Sequence, residues 1–136
     1  MITLFYAGAL TLLSIILAGL TGRRRVKTGT NLGLGEDFGM LQISRAHGNL
    51  LENAVFFLIL SFGLEMIAQI STITLMILGD IFLLSRIAHA YGITRPDAQS
   101  AFRFLGTAGN MLVLLIQSIM AIVLSVSWLA SNNWGL

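Results

Sequence analysis

The chain has 136 residues, of which 56% are apolar and only 10% charged, with a formal net charge of +2. An ordinary soluble domain is about 45–50% apolar and about 25% charged, and the mean hydropathy of +0.86 departs in the same direction. This balance excludes a soluble enzyme and a disordered tail, and predicts an integral membrane protein. The isoelectric point of 9.7 reflects how few charges there are, 8 Lys+Arg against 6 Asp+Glu, and is no argument for nucleic acid. No cysteine is present, so disulfides, thiolate metal sites and a protein thiol nucleophile are ruled out. Any thiol chemistry must use a thiol brought by a ligand.

A helix needs roughly 20 apolar residues to cross the hydrocarbon core, and the sequence supplies that length four times. Met1–Gly22 carries no charge; lacking a positive n-region and a small-residue cleavage site, it reads as a retained first span. The uncharged stretch Asn53–Leu64 is too short alone, so the second helix is expected to begin near Leu41, which places Arg45, His47 and Glu52 on it. The third span runs from about Ser71 to Tyr91 and holds Asp80, Arg86 and His89; the fourth runs from Phe104 to about Leu129 without charge.

Between spans one and two, the Gly-rich stretch Arg23–Ser44 carries Arg23, Arg24, Arg25 and Lys27, then Glu36 and Asp37. A short neutral turn around Gln69–Thr72 follows span two, and Gly92–Arg103, with Arg95, Pro96 and Asp97, follows span three. All loop Lys and Arg fall in the first and third connections. The positive-inside rule therefore puts loops 23–44 and 92–103 in the cytoplasm and both termini outside. Arg23–Lys27 is read as a topology signal touching anionic lipid, and Trp128 and Trp134 as an outer aromatic belt. With no internal repeat or long linker, residues 1–136 are expected to form one all-α, four-span domain.

Ionisable residues inside a span cost about 2.5–3.5 kcal/mol each on insertion scales and usually face a bundle interior or polar cavity. Arg45, Asn49 and Glu52 follow i, i+4, i+7 and share an arc of roughly 60° on helix two; Asn53 widens that stripe, and His47 points elsewhere. Arg86 and His89 are i, i+3 neighbours on helix three, at the same end as Arg45. Two readings follow: the arginines snorkel to headgroups and Glu52 pairs with one of them, or the cluster is a polar ligand pocket near the cytoplasmic interface. Asp80, deeper, is expected to make an interhelical contact, and Glu65 to lie at the outer interface. Two His on separate helices are a weak metal signal, and no metal site is expected.

Arg45-Ala46-His47-Gly48-Asn49-Leu50-Leu51-Glu52 resembles the RxHxNxxE signature of the MAPEG family, the membrane-associated proteins in eicosanoid and glutathione metabolism. Asn31–Asp37 resembles the Gly-rich acidic loop of bacterial members, Arg86–Gly92 their RxxHxxG segment, and Pro96 followed by Arg103-Phe104-Leu105-Gly106-Thr107 the entry to helix four. The resemblance implies a left-handed four-helix bundle assembled as a homotrimer, with glutathione as cosubstrate between subunits near the cytoplasmic face. Carried over by position, Arg45, Asn49, Glu52, Arg86 and His89 would line that site. Arginines can grip the carboxylates of glutathione bidentately, and Glu52 its amine. A guanidinium beside the glutathione thiol would favour the thiolate; Arg103 is the first candidate and Arg95 the second. Ile93 stands where characterised members usually carry tyrosine, Ala54 where a proline often follows, and Gly48 where some eicosanoid enzymes have arginine. These departures count against prostaglandin or leukotriene synthesis.

The expected function is a membrane glutathione transferase or peroxidase acting on a lipophilic small molecule that enters from the bilayer of a bacterial inner membrane. The expected partners are further copies of the chain and membrane lipid, with no nucleic acid. The alternatives are a non-catalytic lipid-binding or scaffold protein with the same fold, and a small transporter using Asp80 and Glu52 as a proton relay.

Overall fold

The computed structural model describes residues 1–96 and 100–132; Asp97 and Trp134 lie outside the described residues. Four helices are present among these: α1 (Ile2–Thr28), α2 (Phe38–Met66), α3 (Thr72–Ile93) and α4 (Ala101–Ser131). Each is long and apolar enough to cross a membrane. The chain is an all-α, four-helix protein whose spans fit a multi-pass membrane protein, as its composition requires.

The helices outrun the spans expected from hydropathy. At about 1.5 Å per residue, α1 and α4 extend about 40 and about 46 Å, against a hydrocarbon core of about 30 Å. The overhang explains two differences from the sequence reading. Arg23–Lys27 is not loop but the closing turns of α1, which stops at Gly29 in the left-handed conformation (φ 66°). Arg103, expected in the third connection, lies in the first turn of α4. A third difference is local: α2 starts at Phe38 rather than near Leu41, because the Asp37 side chain accepts the Met40 N–H at 2.6 Å as an N-cap.

α2 and α3 form the centre of the bundle. α1 packs on both from one side and α4 on both from the other, and α1 and α4 do not touch among the described residues. Inside, the Phe57 and Phe82 rings stack with centroids 4.0 Å apart, and Tyr6 meets Phe57 edge-on at 6.2 Å. The α3–α4 crossing is close because Gly106 and Gly109 lie in it. A Cβ at Gly106 would run into the Ser85 carbonyl and the His89 backbone, and one at Gly109 into the Ser85 hydroxyl.

Polar groups tie the ends together, as they must where water is scarce. Gln42 on α2 donates from Nε2 to the Ile93 and Arg95 carbonyls (2.8 and 2.6 Å), closing the C-terminus of α3. At the opposite end the Glu65 carboxylate accepts the N–H groups of Ile2 and Thr3, both at 2.8 Å. Asp80 makes an interhelical bond, accepting the Tyr6 hydroxyl at 2.7 Å.

At the basic end, Arg24 donates to both carboxylate oxygens of Asp37, from Nε at 2.7 Å and Nη2 at 2.8 Å. These hydrogen bonds, then the Met40 N–H, hold the Asp37 carboxyl below its ordinary value of 3.8. A carboxylate depressed on folding stabilises above its unfolded value, and that contribution disappears as the pH falls through the folded value. Wild type should therefore melt above Asp37→Asn, which still caps, at neutral pH, with the gap closing below about pH 4. A pH-independent gap in thermal unfolding would mean that the carboxylate charge is irrelevant.

Candidate functional site

The five residues expected to line a pocket divide between the outside and the inside of the bundle. Arg45 and Glu52 lie on the outward face of α2, their side chains 57% and 60% exposed, with Nη1 and Oε1 4.0 Å apart. Arg86 and His89 are buried in α3, at 2% and 6% exposure. Asn49, half-buried on α2, belongs with the inner set: its Oδ1 accepts Arg86 Nη1 at 2.6 Å.

Arg86 also donates from Nη2 to the Gly106 carbonyl of α4 at 2.9 Å, and its guanidinium stands 5.8 Å from the Phe82 ring centre. All these partners are neutral, and Nε has none. No carboxylate meets this buried cation among the described residues. A buried charge is costly without a counter-charge or full hydrogen bonding, and Arg86 has two neutral acceptors in place of a counter-charge.

The polar contacts continue along α2 and α4. Asn53 Nδ2 donates to the Asn49 carbonyl (2.8 Å), and Asn110 Nδ2 to Asn53 Oδ1 (2.9 Å). One turn towards the basic end, His89 Nδ1 lies 3.0 Å from Thr107 Oγ1, whose hydroxyl donates to the Arg103 carbonyl at 2.9 Å. The other ring nitrogen, Nε2, is buried and has no hydrogen-bond partner in the protein. The Arg103 main-chain carbonyl is thus two hydrogen bonds from His89, and the Arg103 residue is exposed. Arg95 stands apart: its side chain donates to the Tyr91 hydroxyl and lies 5.1 Å from that ring's centre.

Beyond Arg103, sequence reasoning missed the polar side chains that α4 contributes. Arg103, Thr107, Asn110 and Gln117 follow i, i+4, i+7 and i+14, one stripe in an otherwise apolar helix. That periodicity was the available signal, and the lack of charge beyond Arg103 hid it. A cavity of ≈ 600 Å³ at the basic end, lined by Leu20, Arg24, Asp37, Phe38, Gln42 and Pro96 among others, also had no sequence signal. It shares no lining residue with the Arg45–His89 cluster. His47, off the stripe as expected, pairs with Ser14 of α1 at 3.1 Å. Among the described residues no group of His, Cys, Asp and Glu could hold a metal ion.

The model of the MAPEG family matches residues 3–123, which is most of the chain. No curated protein matches it.

The network itself can be tested before any ligand is considered. Asn49→Ala leaves Arg86 Nη1 without its acceptor in a buried position and should cost about 1–3 kcal/mol in reversible unfolding in detergent. Asn49→Asp, which restores an acceptor, should recover most of that loss. Equal melting of Asn49→Ala and wild type would show that the contact carries no stability.

Proposed function

The chain belongs to the MAPEG family, which includes glutathione transferases and peroxidases, and on that ground we propose that it is a membrane glutathione-dependent transferase or peroxidase. Its substrate in this reading is a lipophilic electrophile reached through the bilayer. One observation carries the proposal: the same helix that presents the outward pair Arg45 and Glu52 also holds, through Asn49, a buried guanidinium that lacks a counter-charge. Glutathione has two carboxylates and one amine, and these side chains offer complementary groups. Arg45 and Arg86 would take carboxylates, Glu52 the ammonium, and Asn49 and His89 would orient the tripeptide.

The reaction then needs a thiolate near the electrophile. The zero cysteine count assigns the sulfur to the cosubstrate. Arg103, exposed at the start of α4 with its main-chain carbonyl linked through Thr107 to His89, is our candidate for holding the thiolate by its positive charge, with Arg95 second. The thiolate attacks the electrophilic carbon in the transferase mode, displacing a leaving group or opening a ring; in the peroxidase mode it attacks a peroxide oxygen, the O–O bond breaks and the alkoxide leaves as the alcohol after taking a proton, and a second glutathione thiol attacks the resulting sulfenic acid to give the disulfide and water.

The outward placement of Arg45 and Glu52 also supports self-association. Two charged side chains on the lipid-facing surface of a lone bundle are costly, and a neighbouring copy would cover them. We propose a homotrimer, with segments 23–44 and 92–103, which include the helix ends at the basic end of the bundle, in the cytoplasm of a bacterial inner membrane and both termini outside. The Arg45–Glu52 contact also favours one second reading: if the pair merely satisfies itself, the chain is a non-catalytic lipid-binding or scaffold protein.

If the cluster holds glutathione, Glu52→Gln and Arg45→Ala should each weaken it by about 2–5 kcal/mol, at least tenfold in affinity by calorimetry. Arg103→Ala should leave affinity largely intact and raise the pKa of the bound thiol, read from thiolate absorbance against pH. Wild type unaffected by millimolar glutathione would leave the scaffold reading ahead. Separately, native mass spectrometry in mild detergent should show three chains; a monomer that retains glutathione binding would defeat the shared site.

A further inference from the structure

The cavity of ≈ 600 Å³ at the basic end plays no part in the glutathione reading, and its volume lies within the range of small-molecule sites. Its depth follows from α3, whose 22 residues extend about 33 Å, close to the thickness of the hydrocarbon core. Thr94, just past the end of α3, lines the cavity, as does Gln42, which closes that end. The cavity therefore stands at one boundary of the core, level with lipid headgroups.

Unused hydrogen-bonding groups meet there. Arg24 gives Nε and Nη2 to Asp37, and its Nη1 has no acceptor among the described residues. The N–H groups of Phe38 and Gly39, the first two of α2, also have none. Gln42 is only 8% exposed; its Nε2 donates to two carbonyls, and its Oε1 accepts nothing among the described residues. Gly39 makes room for this arrangement, since a Cβ there would strike the Arg24 guanidinium lying across the first turn of α2. The rest of the wall is apolar, with Leu20, Phe38, Ile43 and Pro96. From Leu20, exposed Ile16 and Leu12 continue at i−4 spacing along α1 towards the middle of the core.

Charge sets the sign of the ligand. Arg24 and Asp37 neutralise one another, and at this end Arg23, Arg25, Lys27 and Arg95 then stand against Glu36 among the described residues. The free donors suit phosphate oxygens. An anion alone would leave the buried Gln42 oxygen unpaired, so the ligand also has to bring a hydroxyl. We propose that the cavity binds an anionic phospholipid whose headgroup carries hydroxyls. Its phosphodiester accepts from Arg24 and the opening amides of α2, a headgroup hydroxyl donates to Gln42 Oε1, and one acyl chain follows Leu20, Ile16 and Leu12 into the bilayer. A soluble glycerol phosphate offers the same polar contacts but nothing for the apolar track, and is the rival occupant.

The test uses the full chain in mild detergent. Native mass spectrometry counts lipid retained from equal amounts of phosphatidylglycerol, phosphatidylmethanol and phosphatidylcholine with identical acyl chains, and thermal unfolding checks that each variant is folded. Wild type should retain phosphatidylglycerol about tenfold over phosphatidylcholine. Phosphatidylmethanol, with the same charge but no hydroxyl, should fall between them. Leu20→Trp, which fills the cavity and leaves its polar groups in place, should lose the preference, while Ile122→Trp, exposed near the far end of α4, should keep it. Asp37→Asn releases Arg24 from its counter-charge and should hold phosphatidylglycerol more tightly than wild type. Equal retention of the glycerol and choline lipids by wild type, or an unchanged preference in Leu20→Trp, would overturn the proposal. Phosphatidylmethanol held as well as phosphatidylglycerol would overturn the pairing with Gln42 and with it the choice of headgroup. Displacement of phosphatidylglycerol by millimolar glycerol 3-phosphate would overturn the lipid in favour of a soluble ester.

Discussion

The bundle is organised around a guanidinium that has no access to water. Arg86 is 2% exposed within a membrane-spanning helix, and a charged side chain there must find its partners in the protein. It finds them on two different helices, Asn49 on α2 and the Gly106 carbonyl on α4, so one side chain sets the register of three helices. A helical carbonyl has two lone pairs, and the one not used within α4 can accept the arginine. Residue 106 has to be glycine for α4 to come this close, since a Cβ would strike the α3 backbone at Ser85 and His89. The close crossing and the buried charge are therefore one arrangement.

The acids show a complementary pattern. Asp37 is held by Arg24, Glu65 by the amides that open α1, and Asp80 by the Tyr6 hydroxyl. Each of these satisfies a group that the fold would otherwise leave without a partner, and each ties two elements together. Glu52 does neither. It faces outward from the middle of α2 and meets only Arg45, at the limit of ion-pair distance. The bundle would hold together as well without that pair, which is why we assign it to a ligand and a neighbouring subunit rather than to folding.

Much of this was legible in the sequence, and the losses have identifiable causes. The four spans follow from hydropathy, and the shared depth of Asn49 and Arg86 follows from their distance to the ends of helices that run antiparallel. The division of the stripe into an outward half and an inward half could not be read. An arc of about 60° is narrower than the buried stripe of an ordinary helix, and which edge turns inward depends on where α3 and α4 lie. Arg23–Lys27 read as loop because charge ends a hydropathy window, although a helix continues freely once it has left the hydrocarbon. The α4 stripe escaped because Thr107, Asn110 and Gln117 barely interrupt an apolar run, yet each faces a polar partner across the bundle.

The interior polar contacts bear on the transport alternative. From Arg103 they run through Thr107 to His89, and separately from Arg86 through Asn49 and Asn53 to Asn110. Beyond Asn110 the core is filled by Phe57, Phe82 and Val113, none more than 1% exposed, and the two rings are stacked. Ser61 and Gln117 resume hydrogen bonding only past that plug. A proton path would also have to join Glu52 to Asp80. Among the described residues Glu52 lies on the outward face of α2 while Asp80 is bound to α1 through Tyr6, and no hydrogen bond connects them. A close-packed aromatic layer without polar atoms gives water nothing to bind. The aromatic layer thus divides the interior hydrogen bonds into two separate sets, one that reaches from Arg103 and Arg86 to Asn110 and one made by Ser61 and Gln117, with no hydrogen bond between them among the described residues.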